Sequence, residues 1–186
     1  RLKLLRQLIG LGLASLPGSA VRRLVLNDVG PVIEWRALLR IGEYIGQVGH
    51  FDSVQQAADA MWLVSTTFGP HTPEQWLALS QAMVRPSPDG GFTLHYDPAI
   101  AVPLRTVTQQ AAQQGEAVLW QLYDAVPSET LLLRGALSDL LSRQTAEAMT
   151  RRGPKARLVE IEGVGHAPTL IAQEQIDVVA SFLLNP

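Results

Sequence analysis

Cysteine is absent from all 186 residues, which removes disulfides, thiolate zinc sites and a cysteine nucleophile together. Lysine is nearly absent too: Lys3 and Lys155 are the only lysines among 15 basic residues, and the other 13 are arginines. That imbalance reads as codon bias in a GC-rich genome more than as a binding surface. Charged residues make up only 17% of the chain and the net charge is −2, which gives no electrostatic case for a nucleic-acid or anionic-membrane partner. No apolar run approaches the ~20 residues needed to span a bilayer. The opening 18 residues echo a signal peptide, but Arg6 and Gln7 interrupt the apolar stretch and no cleavage site follows. A cytoplasmic protein is expected. Methionine is missing from position 1, and starting at Arg1 suggests that the true beginning lies elsewhere.

What is present is apolar. A hydrophobic share of 47% excludes disorder, and the length suits one domain of ordinary size or one domain with an elaboration. Residues 5–16 read as a helix stopped by Pro17 and Gly18, and residues 21–27 as a strand closed by Gly30 and Pro31. A helix feeding a strand in this way is the grammar of a parallel sheet. From Pro31 to about Ala117 the pattern is mostly helical, with Trp35, Leu38, Leu39, Ile45 and Val48 at helical spacing. Ser53 with Gln56 predicts a capping box, and Thr72, Pro73 and Gln75 predict another. Residues 86–91 read as a loop, 92–96 as a short strand, and about 105–116 as a glutamine-rich helix. Strands then return at 130–135 and 156–161, followed by helices at 142–151 and 169–184. About 85 helix-rich residues between sheet elements look like a lid or cap.

Two loops stand at the carboxyl ends of the later strands, where ligands and catalytic groups gather in open α/β sheets. The first, Gly-Ala-Leu-Ser-Asp at 135–139, places Asp139 just beyond its strand. The second, Gly-Val-Gly-His-Ala-Pro at 163–168, places His166 just beyond the next. Adjacent strands would bring the two loops together. An aspartate beside a histidine fixes the imidazole tautomer and stabilises the imidazolium formed when the ring takes a proton.

These residues carry a family resemblance. A strand ending in Gly-x-x-Ser-Asp, 27 residues from Asp139 to His166, and a strand ending in Gly-x-Gly-His-Ala-Pro resemble the end of a capped α/β-hydrolase. The run Leu-Val-Leu-Asn-Asp-Val-Gly-Pro at 24–31 is similar to the strand-six exit of esterase- and lipase-like members. The resemblance implies an α/β fold, with the last three strands of a parallel sheet, flanking helices and a helical cap insertion. It divides the chain into core at 1–30, cap at 31–117 and core at 118–186. It implies Asp139 as triad acid and His166 as general base, with Asp28 as the second-choice acid, because some members carry that residue after strand six. It implies no cofactor and no metal.

The family's nucleophile elbow, Gly-x-Ser-x-Gly, occurs nowhere in the chain. Aligning the first helix puts Leu4 where the serine should stand, and Arg6 and Gln7 where the small glycines should be. Two functions follow as expectations. One is a serine hydrolase acting on a small ester or related acyl compound, with the serine absent from this chain. The other is an inactive fragment with at most a binding or structural role. The strand at 21–27 would lack one neighbour, so a missing N-terminal half or self-association through that edge is expected. His50, His71 and His95 read as surface or packing residues. Trp35, Trp62, Trp76 and Trp120 read as core.

Overall fold

The computed structural model describes residues 3–47 and 49–184, with side chains described from Gln7 onward. Val48 and the side chain of Leu4 therefore lie outside the described residues. Helix α1 (Lys3–Ala14) leads into strand β1 (Arg23–Asn27). A long insertion follows: α2 (Trp35–Tyr44), β2 (His50–Phe51), α3 (Val54–Trp62), α4 (Pro73–Gln81), β3 (Val84–Pro86), β4 (Phe92–Leu94), α5 (Ala101–Thr106) and α6 (Gln109–Asp124). The chain then returns through β5 (Glu129–Gly135), α7 (Arg143–Met149), β6 (Arg157–Ile161) and α8 (Gln173–Leu184).

Strands β1, β5 and β6 form a parallel sheet in that order, with Leu26 opposite Leu132 and Leu132 opposite Leu158. The middle strand is apolar and buried on both faces. Leu131, Leu132 and Leu133 are completely buried, and each such side chain contributes about 1.5–3 kcal/mol of transfer free energy. Around Leu132 pack Leu11 and Ala14 of α1, Tyr123 of α6, Ala146 and Met149 of α7, and Leu141 from the loop between β5 and α7.

The insertion has a core of its own. Ala57, Ala58 and Met61 of α3 meet Trp76 of α4 and Val84 of β3, and the Trp76 indole N–H donates to the Ala58 carbonyl at 2.9 Å. Thr72 and Gln75 form the complete reciprocal box expected of them. At Ser53 only half of the expected box forms. The Ser53 hydroxyl accepts from the Gln56 amide, but the Gln56 side chain reaches one residue further back, to the Asp52 N–H. The strand expected near 92–96 is β4, the centre of a three-stranded antiparallel sheet with β2 and β3. Those partners went unnoticed in the sequence because strands of two and three residues carry no periodicity.

Helix α6 extends well past the expected helix at 105–116 and runs through the expected boundary at residue 117. Its last turns are pinned to the main core: Tyr123 is fully buried, and its hydroxyl donates to the Met149 carbonyl at 2.7 Å. Burial pushes the Tyr123 phenol up from 10.0 to about 12, with the backbone of Ala156 opposing part of that rise. The folded state thus keeps this proton longer than the unfolded chain does. The stabilisation is whole below pH 10 and is lost as pH rises towards about 12, an effect of about 2–3 kcal/mol. Urea unfolding across that window should therefore fall more steeply for the native sequence than for Tyr123→Phe. Equal slopes would refute the assignment.

Candidate active site

The site begins with a turn at the end of β1. Asp28 continues the ladder by donating its N–H to the Leu133 carbonyl at 2.8 Å, then adopts a left-handed φ of 60°. Short polar side chains tolerate that conformation better than other non-glycine residues do. The turn sends the Asp28 carboxylate across the top of β5, where it is completely buried. A buried carboxylate must be met by donors. Oδ1 accepts the Gly135 N–H at 3.0 Å, and Oδ2 accepts the Ser138 hydroxyl at 2.7 Å. Nδ1 of His166 lies 2.8 Å from the same Oδ2.

A carboxylate has no proton to give, so Nδ1 of His166 is the donor, and in the neutral form of the ring Nε2 keeps its lone pair. The His166 side chain is 18% exposed, which leaves part of the ring reachable from outside. Glycine is required at 135 by the approach of the two loops. A Cβ there would collide with the carbonyl oxygens of Val164 and Gly165.

His166 thus receives its carboxylate from Asp28, the residue ranked second in the sequence, and not from Asp139. The Asp139 carboxylate takes a two-pronged hydrogen bond from Arg40 of α2, both contacts at 2.9 Å, and the pair is exposed. The local turn explains the exchange. Ser138 donates its backbone N–H to the Gly135 carbonyl, which folds the chain back and brings Ser138, not Asp139, to Asp28.

The insertion reaches this site through the segment after α3. The Thr67 carbonyl accepts the Gly165 N–H, one residue before His166. His71 bridges the Gly69 carbonyl and the Thr169 hydroxyl, both at 2.9 Å, and its ring lies edge-on to Trp76. His71 is therefore a connector between the insertion and the His166 loop, where the sequence predicts a surface or packing residue. Leu137, in the loop after β5, is 68% exposed.

Leu4 lies in α1, with its side chain outside the described residues. Gln7, expected where the family has glycine, donates to the Asn27 carbonyl at 3.1 Å, and the Asn27 amide donates to Pro168 at 2.9 Å. This chain of contacts ties α1 and β1 to the His166 loop. Among the described residues no group of three or more metal-ligating side chains converges, and no helix is long and apolar enough to cross a membrane.

Comparison with known proteins adds an independent finding. The sequence profile described as "Alpha/beta hydrolase family" matches residues 8–182. A curated relative from Cupriavidus necator, named 3-hydroxybutyrate-oligomer hydrolase, is 45% identical over 94% of this chain, which spans 61% of that protein. The crystal structure of an alpha/beta hydrolase from Novosphingobium aromaticivorans is 34% identical with a TM-score of 0.81, covering 95% of this chain and 61% of its own. A Rickettsia typhi protein has the same TM-score of 0.81 at 28% identity, over 96% of this chain and 59% of its own. The chain therefore spans about 60% of the length of these relatives.

Proposed function

The chain belongs to the alpha/beta hydrolase family, and from that premise we propose that Asp28 and His166 are the acid and base of an ester-hydrolysing centre. The observation that carries this reading is the buried Asp28 carboxylate at 2.8 Å from His166 Nδ1. In this role His166 Nε2 takes the proton of a serine hydroxyl as the serine attacks the ester carbonyl. Asp28 stabilises the imidazolium, and the ring then returns the proton to the departing alcohol. No Gly-x-Ser-x-Gly stands among the 186 residues, so the serine comes from residues outside them. The substrate is a small ester of a hydroxy acid or a similar acyl compound, in keeping with the name of the Cupriavidus relative. The insertion serves as a cap that shapes the pocket. It is anchored beside the base by the bonds from Thr67 to Gly165 and from His71 to Thr169.

The test is reconstitution. The part of the Cupriavidus relative that this chain does not match is fused ahead of residue 8, and hydrolysis of p-nitrophenyl butyrate is followed. The hybrid should turn over and be labelled by a serine-directed phosphonate, and His166→Ala should reduce turnover by about 10³-fold or more. A folded hybrid that neither hydrolyses the ester nor takes the label would sink the proposal.

One feature favours a second, non-catalytic reading for the chain by itself. Ile9, Leu13 and Leu16 form an exposed apolar stripe on and just beyond α1, and β1 has a strand neighbour on only one side among the described residues. An uncovered apolar helix face beside an open strand edge favours association. The isolated chain should sediment as dimers or larger species at micromolar concentration, and the hybrid as a monomer. A monomeric isolated chain would count against that reading.

A further inference from the structure

We infer that Ser138 is a positioning residue that fixes the Asp28 carboxylate for His166, an inference resting on the acid–base reading above. A hydroxyl has one proton and two lone pairs. At Ser138 the lone pairs are both used: Oγ accepts the Leu140 N–H at 3.2 Å and the Leu141 N–H at 3.1 Å. Its one proton is therefore committed to Asp28 Oδ2, at 2.7 Å. The hydroxyl is not a rotor that happens to reach a carboxylate. The turn at 138–141 has aimed it.

The consequence falls on the carboxylate plane. Gly135 holds Oδ1 and Ser138 holds Oδ2, so rotation of the group is blocked from both ends. The remaining lone pair of Oδ2 is then presented to His166 Nδ1, which keeps the ring in one orientation and one tautomer. Without the Ser138 hydroxyl, Oδ2 of a carboxylate with no solvent exposure would be held only by His166, the ring it has to orient. The adjacent Asp139, held by Arg40 on the outside of the loop, takes no part in this cradle.

The test reads the histidine itself, in the 186-residue chain labelled with nitrogen-15. The imidazole nitrogen shifts give the His166 tautomer, and exchange of the Nδ1 proton with water gives its protection. The native chain should hold the Nδ1–H tautomer. Ser138→Ala should yield a mixture of tautomers and exchange that is faster by about tenfold. Ser138→Thr, which keeps a hydroxyl, should restore the native signature. A role confined to the turn predicts something else: faster exchange at the Leu140 and Leu141 amides with His166 unchanged, which would overturn the inference. If Ser138→Ala does not fold, Ser138→Cys replaces it. The weak thiol donor must loosen His166 while threonine does not, and the reverse order would also overturn the inference. Asp28→Asn separates the two levels of argument. If that variant also leaves His166 unchanged, the acid–base pair itself is refuted. If Asp28→Asn alters His166 and Ser138→Ala does not, only the positioning role fails.

Discussion

Asp28→Asn is expected to lower turnover of the reconstituted hydrolase by about 10⁴-fold, while Asp139→Asn should leave it within about twofold. The contrast follows from what each carboxylate touches. Asp28 is fully buried and bonded to His166, so the amide would face Nδ1 with an oxygen or an NH2, and half of those arrangements favour the wrong tautomer. The single amide oxygen can accept from Gly135 or from Ser138 but not from both, so some stability is lost as well, while the catalytic loss would appear in kcat with little change in KM. Asp139 bonds Arg40 where both are exposed, and such pairs contribute at most about 1 kcal/mol. Steady-state kinetics on an activated ester decide the matter. A large loss in Asp139→Asn with native behaviour in Asp28→Asn would reverse the assignment.

How this exchange escaped the sequence has a physical answer. The strand pattern correctly placed both Asp139 and His166 in loops at the carboxyl end of the sheet, beside one another. It could not tell which residue of the Ser138–Asp139 pair turns inward. That choice is made by one backbone hydrogen bond, from Ser138 to Gly135, which no periodicity encodes. The signal for Asp28 was present as an Asn-Asp pair closing a strand, but the same pair reads equally well as a simple turn. What separates the two is the buried carboxylate of Asp28 at 2.8 Å from His166 Nδ1.

The fold was more legible than the site because it rests on repeated signals. The three parallel strands and their helices each carry several apolar residues in register with a period, so errors at single positions cancel. Thr72 and Gln75 formed their box because both partners lie in one rigid turn. Ser53 and Gln56 have the same spacing but diverged, since Asp52 offered the Gln56 side chain a second N–H nearby. Helix α6 shows the limit in another way. Its glutamine-rich start looks like a surface helix of the insertion, yet Tyr123 at its far end is wholly buried in the main core. One helix thus joins both parts, and composition could mark only its beginning.

Arg134→Ala should destabilise the chain by about 3–5 kcal/mol, a large share of the stability of an ordinary domain. Arg134 stands one residue before the end of β5 with its side chain only 6% exposed, and four of its five N–H donors are used. Nε donates to the Leu141 carbonyl at 2.9 Å, Nη1 to Glu160 at 2.7 Å and to the Ala136 carbonyl at 3.3 Å, and Nη2 to the Ser138 carbonyl at 3.4 Å. Alanine would leave those carbonyls without their donor beside a carboxylate that has lost its buried partner. Glu160→Gln should be far milder. The amide oxygen can still accept from Arg134, and the exposed Arg143 loses only an outer contact at 2.7 Å. The order of the two variants in urea unfolding is therefore diagnostic. If Glu160→Gln matched Arg134→Ala, the ion pair would be the source of the stability. If only Arg134→Ala is severe, the source is the bracing of loop carbonyls. The braced loop is the one that carries Gly135 and Ser138 to Asp28, so the milder variant should also leave the His166 tautomer unchanged.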